Sequence, residues 1–203
     1  MDGRERWRIN SERSTLKFAI DHAGLKQICG RFHCWGGTVL IDNRDLTRSA
    51  VRIWVDLSSI DTGSVKRDAF ILATELFDIH WEPALVFDSE RVEITGIGRG
   101  LIFGRLALHS FGREIALEVE AKSPRADSKG VWHLVYTART SVDRGALGLR
   151  RNRYNDDWLS EAVVGEIIEI TAHVEVMPDD RPIVDRPASP APVSRMQRLG
   201  PAR

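Results

Sequence analysis

The 203-residue chain lacks any apolar run approaching the ~18 residues of a membrane-spanning helix. It also lacks an excess of either charge: Lys and Arg total 29, Asp and Glu total 29, and the formal net charge is zero. That balance argues against a nucleic-acid binder, which carries a basic surplus. Only two cysteines are present, Cys29 and Cys34, and a reducing compartment leaves both as thiols. The N-terminal MDGRERWRINSERS is charged and has none of the apolar stretch of a secretory signal. A cytoplasmic location is therefore the expectation.

The signatures of catalysis are missing too. Cys29, His33 and Cys34 lie close in sequence, but a zinc site needs four ligands, or three and an open position. In an extended strand Cys34 faces away from the other two, so no metal is expected. The run Gly96-Ile97-Gly98-Arg99-Gly100 lacks the third glycine of a dinucleotide fingerprint and precedes a strand, where phosphate binding needs a helix N-terminus. It reads as a turn. There is no Gly-x-Ser-x-Gly, and the neighbouring pairs His109-Ser110 and Asp21-His22 point to opposite faces of their strands. Neither a cofactor nor an enzymatic role is implied.

What is present is alternation. Hydrophobic residues make up 42% of the chain, enough for a sizeable core in one domain, or at most two. Leu16, Phe18, Ile20 and His22 share one face of a strand, and Val51, Ile53, Val55 and Leu57 share another, with polar residues and Trp54 between them. Leu101–His109 and Ile115–Ala121 form the clearest hairpin, Val131–Val142 a long strand, and Ala162–Met177 the closing one. Between the strands that end at Ser58 and begin at Leu85, Val65–Thr74 places Val65, Ala69 and Leu72 at helical spacing. A short amphipathic helix is expected there, closing at Leu76 and Phe77. Residues 1–6 read as a flexible end. Residues 178–203 hold six prolines with little apolar content and read as a disordered tail, with Pro187 and Pro190 at docking-motif spacing. His22 is either a core residue or a polar handle at a pocket mouth. Arg144 is either a solvated loop charge or a partner for Asp61 or Asp68.

Short strands at close spacing predict an antiparallel barrel or sandwich. The barrel is favoured because closure leaves no edge, and eight strands enclose room for side chains or one small ligand. Taken together, the residues resemble the YceI family. The resemblance covers Trp7 to Met177. It rests on Leu16-x-Phe18 with His22, Gly30-Arg31-Phe32 before Gly37, Ser59-Ile60-Asp61-Thr62-Gly63, Arg67-Asp68 and Leu76-Phe77-Asp78. Pro83, Phe87-Asp88-Ser89, Gly104-x-Leu106-x-Leu108-His109 and Asp143-Arg144 with Gly148 complete it. The chain departs from the family pattern at Leu76, Glu82 and Ser110, where Phe, an aromatic and Gly are the more common residues.

The resemblance implies an all-β fold: an antiparallel eight-stranded lipocalin-like barrel over residues 7–177, with a short helical insertion between two strands. It also implies an elongated apolar tunnel that holds a polyisoprenoid or similar amphiphilic lipid. The expected activity is sequestration or transport of an isoprenoid or other long-chain lipid. The expected wall is Leu16, Phe18, Ile20, Phe32, Val51, Ile53, Phe87, Leu106, Leu117 and Val135, with Phe70, Phe77 and Trp81 as lid and His22 as the polar contact. Two other readings stay open. One is an interaction protein with a filled barrel and a docking tail, and the other is a small enzyme using His22.

Overall fold

The structure, a computed structural model, describes residues 4–22, 26–73, 84–108, 111–145 and 164–179. The strands are β1 (Arg4–Ile9), β2 (Thr15–His22), β3 (Lys26–Phe32), β4 (Trp35–Asp42), β5 (Ala50–Asp56) and β6 (Ile60–Asp61). They continue with β7 (Ala84–Gly96), β8 (Arg99–Leu108), β9 (Phe111–Ala126), β10 (Trp132–Asp143) and β11 (Val164–Pro178). One helix, α1 (Val65–Ala73), stands where the periodicity of Val65, Ala69 and Leu72 predicts it.

Every pairing is antiparallel, and the ring β1-β4-β5-β7-β8-β9-β10-β11 closes on itself through β1 and β11. The eight-stranded barrel follows. β2, β3 and β6 are not extra staves but continuations: β1 and β2 run in line along β11, β2 pairs β3, and β6 pairs β3 as β5 pairs β4. At the break between β1 and β2 the backbone of Glu175 would lose its partners. Asn10 donates its amide to the Glu175 carbonyl at 2.8 Å, and the Glu175 amide donates to the Ser14 hydroxyl at 2.9 Å. The ladder is thereby satisfied across the gap, as buried backbone requires.

Two ends of the chain differ from the sequence reading. Arg4 to Arg6 are not a loose end. They pair with Asp42 to Leu40, and β1 is the strand that closes the ring. At the other terminus β11 runs to Pro178, and buried Asp179 donates its amide to the Arg6 carbonyl at 3.0 Å and accepts an ion pair from Arg6 at 3.2 Å. The tail expected beyond lies outside the described residues.

Alternation builds the core. Val55 is 5% exposed while its neighbour Trp54 is 37% exposed, the signature of a strand with one face inward. Leu57, Phe87, Leu106, Leu108, Leu117 and Val142 form one buried cluster, and Ile9, Leu16, Trp35, Val55, Ala172 and Val176 form a second. The first packs the end of the barrel that carries α1. That helix is fastened by Asp68, which accepts from the Thr62 amide at 3.0 Å and its hydroxyl at 2.5 Å, and by Arg67, which donates to the Thr62 carbonyl at 2.7 Å.

Candidate functional site

The barrel interior is not uniform along its length. At the helix end, Leu57, Leu108 and Val142 are 2%, 2% and 3% exposed, and side chains meet across the axis. Toward the opposite end the interior opens into a cavity of about 260 Å³. That is far more than the ~10–15 Å³ needed for one water. All eight strands of the ring contribute wall residues, Val39, Ile53, Ile102, Val119, Ala138 and Val174 among them. Leu46, Ser49, Ile94, Gly96, Gly98 and Arg99 line its outer end, beside the turn between β7 and β8 and the 3-10 turn Leu46–Arg48.

The local sequence sets this opening. β7 pairs regularly with β8 as far as Ser89, then slips register before Arg91. A bulge of this kind moves the inward row from odd to even positions. Phe87 faces the packed end, and Val92 and Ile94 face the cavity. Two glycines give space for bulk. A Cβ on Gly30 would sit 2.3 Å from the Phe18 ring, and one on Gly104 would sit 2.7 Å from that of Phe87.

The cavity lining is apolar except at three side chains. Ser49 and Arg99 stand at the mouth, and Tyr136 is deeper. Burial pushes the Tyr136 phenol pKa up, so its hydroxyl is a neutral donor or acceptor. Arg99 lies 3.9 Å from Glu120. The Lys122 hydrogen bond and charge, then Arg99 and Arg139, hold the Glu120 carboxyl below its usual range. Among the described residues, no carboxylate, imidazole or thiol lines the cavity, so it holds no base beside a nucleophile. It can take up an apolar chain and bond one polar group.

The expected wall residues divide. Val51, Ile53 and Leu117 line the cavity. Leu16, Phe87 and Leu106 are buried in the packed clusters, Phe32 packs against both clusters, and the Phe18 ring lies 5.4 Å from that of Phe32. Ile20 sits two residues on from Phe18, in register with Ile168. Val135 is a correction: it pairs with Lys122 and Glu175, while Leu134 and Tyr136 beside it pack into the core. It faces outward and leaves the wall. The backbone of His22 ends β2 opposite Val164, but its side chain and that of Phe70, with all of Phe77 and Trp81, lie outside the described residues.

Other expectations settle as geometry. Asp61 is held by Arg31 at 2.9 Å and His33 at 3.0 Å, and Asp68 by Thr62, so neither waits for Arg144. The His33 hydrogen bond, then the Gly63 amide and Arg31, lower the Asp61 pKa to about 2. Cys29 and Cys34 are both exposed, and burial and then Asp56 push the Cys34 thiol pKa up, which makes it a poor nucleophile at neutral pH. Tyr136, Val119, Ile102 and Leu46 were not anticipated. The even-numbered row of β10 was the available signal for Tyr136.

A family model of the YceI-like domain matches residues 7–176. A UPF0312 protein of Vibrio campbellii is 29% identical over 107 residues, 53% of this chain and 57% of that one. The chain thus spans less than two thirds of that relative's length. A UPF0312 protein of a Shewanella species is 23% identical over 137 residues, 68% of this chain and 72% of its own. Among solved structures, Burkholderia cenocepacia BcnA superposes with a TM-score of 0.70 at 15% identity, covering 82% of this chain and 98% of that one. A polyisoprenoid binding domain from Saccharophagus degradans gives 0.62 at 14% identity, covering 85% and 98%. With the ring closure, the helical insertion and the matched span in agreement, the chain belongs to the YceI-like domain family.

Proposed function

We propose that this protein is a non-catalytic carrier that sequesters an isoprenoid or another single-chain amphiphilic lipid in its barrel. The observation that carries this reading is the half-filled interior: an apolar cavity of about 260 Å³ open at one end, above a packed floor of Leu57, Leu108 and Val142. The fold shared with a polyisoprenoid binding domain from Saccharophagus degradans supports the same ligand class.

Each methylene taken from water into the cavity contributes about 0.8 kcal/mol. Retention therefore rises steeply with chain length, while the entropic cost of association stays fixed. The volume is just below the roughly 300–1,000 Å³ of common ligand sites, which favours one chain over a two-tailed lipid. Ser49 and Arg99 at the mouth suit a polar head left near solvent, and the Tyr136 hydroxyl suits one bond along the chain.

The test is titration of delipidated protein with fluorescent single-chain amphiphiles of increasing length, presented in solution. Affinity that climbs with each added methylene supports the carrier. Affinity that is flat with length, or no uptake, favours a barrel whose interior is only a core.

A further inference from the structure

The cavity mouth is ringed by apolar residues that the fold does not need. Ile97 forms the tip of the β7–β8 turn and is 105% exposed, while Gly98 at φ +65° supplies the turn geometry. Ile94 and Leu46, both lining the cavity, are 51% and 49% exposed. Trp132 is 60% exposed where β10 emerges from its own turn, on the row that continues inward through Leu134 and Tyr136. Single exposed apolar residues are ordinary. A group of them around one opening, continuous with the apolar lumen, marks an interaction surface.

The charge around that opening is also uneven. The turns and strand ends here carry Arg44, Arg48, Arg99, Lys122, Arg125 and Lys129 in a chain whose formal charge is zero. Asp42, Asp45, Glu120 and Asp127 are the acids beside them, and the carboxylates of Asp45 and Asp127 bond amides of their own turns. Asp45 accepts from the Thr47 amide at 3.0 Å, and Asp127 from the Lys129 and Val131 amides at 2.8 and 2.9 Å. Arg48 is matched by Asp42 at 3.6 Å, and Lys122 by Glu120 at 2.7 Å. Among the described residues Arg44 and Arg125 carry no ion pair, Lys129 stands beside Asp127, and the six basic side chains outnumber the four acids, which leaves the rim around the apolar tips net positive.

We infer that this end of the barrel docks on an anionic bilayer, so that a lipid chain passes between membrane and cavity without crossing water. The inference rests on the carrier reading for what passes, but the docking itself stands on the rim. Tryptophan and isoleucine at loop tips suit the headgroup boundary. Lys and Arg beside them are drawn to negative headgroups over the ~8 Å screening length of physiological salt. A protein partner would be matched instead by a complementary acidic and apolar patch, and a second copy of this chain would place two basic rims face to face.

The experiment is flotation of the full chain with phosphatidylcholine vesicles, with and without phosphatidylglycerol, at low and high salt. A second arm measures uptake of a soluble single-chain probe by the same protein. Wild type is expected to float with the anionic vesicles, at least tenfold more than with neutral ones, and to be released by salt. The Ile97→Asp/Trp132→Ser variant and the Arg44→Glu/Lys129→Glu variant change exposed positions outside the cavity lining. Each should lose at least tenfold in vesicle binding and keep probe uptake. Equal binding to neutral and anionic vesicles, no binding at all, or binding that survives both variants overturns the docking. Self-association lost in the same variants, without vesicle binding, also overturns it. Probe uptake without vesicle binding sinks this inference alone, and vesicle binding without probe uptake sinks the carrier alone.

Discussion

The amide of Val51 donates to the hydroxyl of Ser89 at 2.7 Å. The contact lies just past the last main-chain pair of β5 and β7, Arg52 with Asp88, and just before the bulge that re-aims β7 toward the cavity. A side chain thus continues the ladder at the point where one strand changes face. Ser89→Ala leaves the Val51 amide without that partner. The bond is part-buried, and losing one of this kind costs about 0.5–1.5 kcal/mol; urea unfolding should show a loss in that range, with Ser89→Thr restoring most of it. A loss indistinguishable from zero would mean that water serves equally well and that the seam does not depend on Ser89.

Gly104 and Phe87 form a second dependence. A Cβ on Gly104 would lie 2.3 Å from the Asp88 carbonyl oxygen as well as 2.7 Å from the Phe87 ring. Gly104→Ala should cost about 1–3 kcal/mol, as overpacking does. Phe87→Leu in the same chain should not recover it, because the closer clash is with backbone. Full rescue by the double variant, measured in a thermodynamic cycle, would show that the ring alone sets the requirement.

The buried pair His133 and Glu175 lies outside the lumen. Their Nδ1 and Oε1 atoms are 2.6 Å apart, and both side chains are buried on the outer face of β10 and β11 beside Ser14 and Asn10. Removing the imidazole takes the shortest bond from the Glu175 carboxylate and leaves it with Asn10 at 3.4 Å and Arg13 at 3.9 Å. His133→Ala should therefore destabilise by about 1.5–3 kcal/mol, as loss of a hydrogen bond to a charged group does, and leave probe affinity unchanged at a temperature where the variant is folded. Weakened affinity with little loss of stability would place His133 in the ligand path.

The acid limb of stability should report on Asp61. Its pKa is lowered to about 2 by His33, the Gly63 amide and Arg31, against about 3.9 in an unfolded chain. A depressed carboxylate contributes stability that is present above the unfolded value and is lost as pH falls toward the folded one. Between about pH 4 and 2, thermal melts of Asp61→Asn should fall less steeply than those of wild type. Parallel curves would show that Asp61 does not take part in the linkage.

The strands were legible because their inward rows are unambiguous. Leu16, Phe18 and Ile20 on β2 alternate with Lys17, Ala19 and Asp21, and Leu106 and Leu108 on β8 with Arg105 and Ala107, and the structure turns those rows inward. β10 was harder. Val135 stands in one row, and Leu134, Tyr136 and Ala138 in the other, so composition does not decide between the faces. The deciding fact is the packing across the barrel, where Leu134, Tyr136 and Ala138 meet the core cluster of Ile9, Trp35 and Val176. The same limit hid the mouth. Gly96–Gly100 reads as a turn, but no local pattern says that it lies at the same end of a barrel as the distant turn at Leu46–Arg48. Residues 1–6 read as a flexible end because they are charged and carry no apolar row, whereas Arg4 to Arg6 are held by their pairing with β4 and by Asp179.

The central claim is that the space beside Ile53 belongs to a lipid chain and not to more core. Native mass spectrometry of protein purified without detergent, wild type against Ile53→Trp, tests it most directly. Ile53 lines the cavity and faces its centre line from β5, so an indole there takes the volume that a chain would fill. Wild type should carry a mass adduct that organic extraction identifies as a long-chain lipid, and the folded variant should carry none. Wild type without adduct and without uptake of added isoprenoid, together with a variant destabilised by the roughly 1–3 kcal/mol of an overpacked core, would contradict the claim.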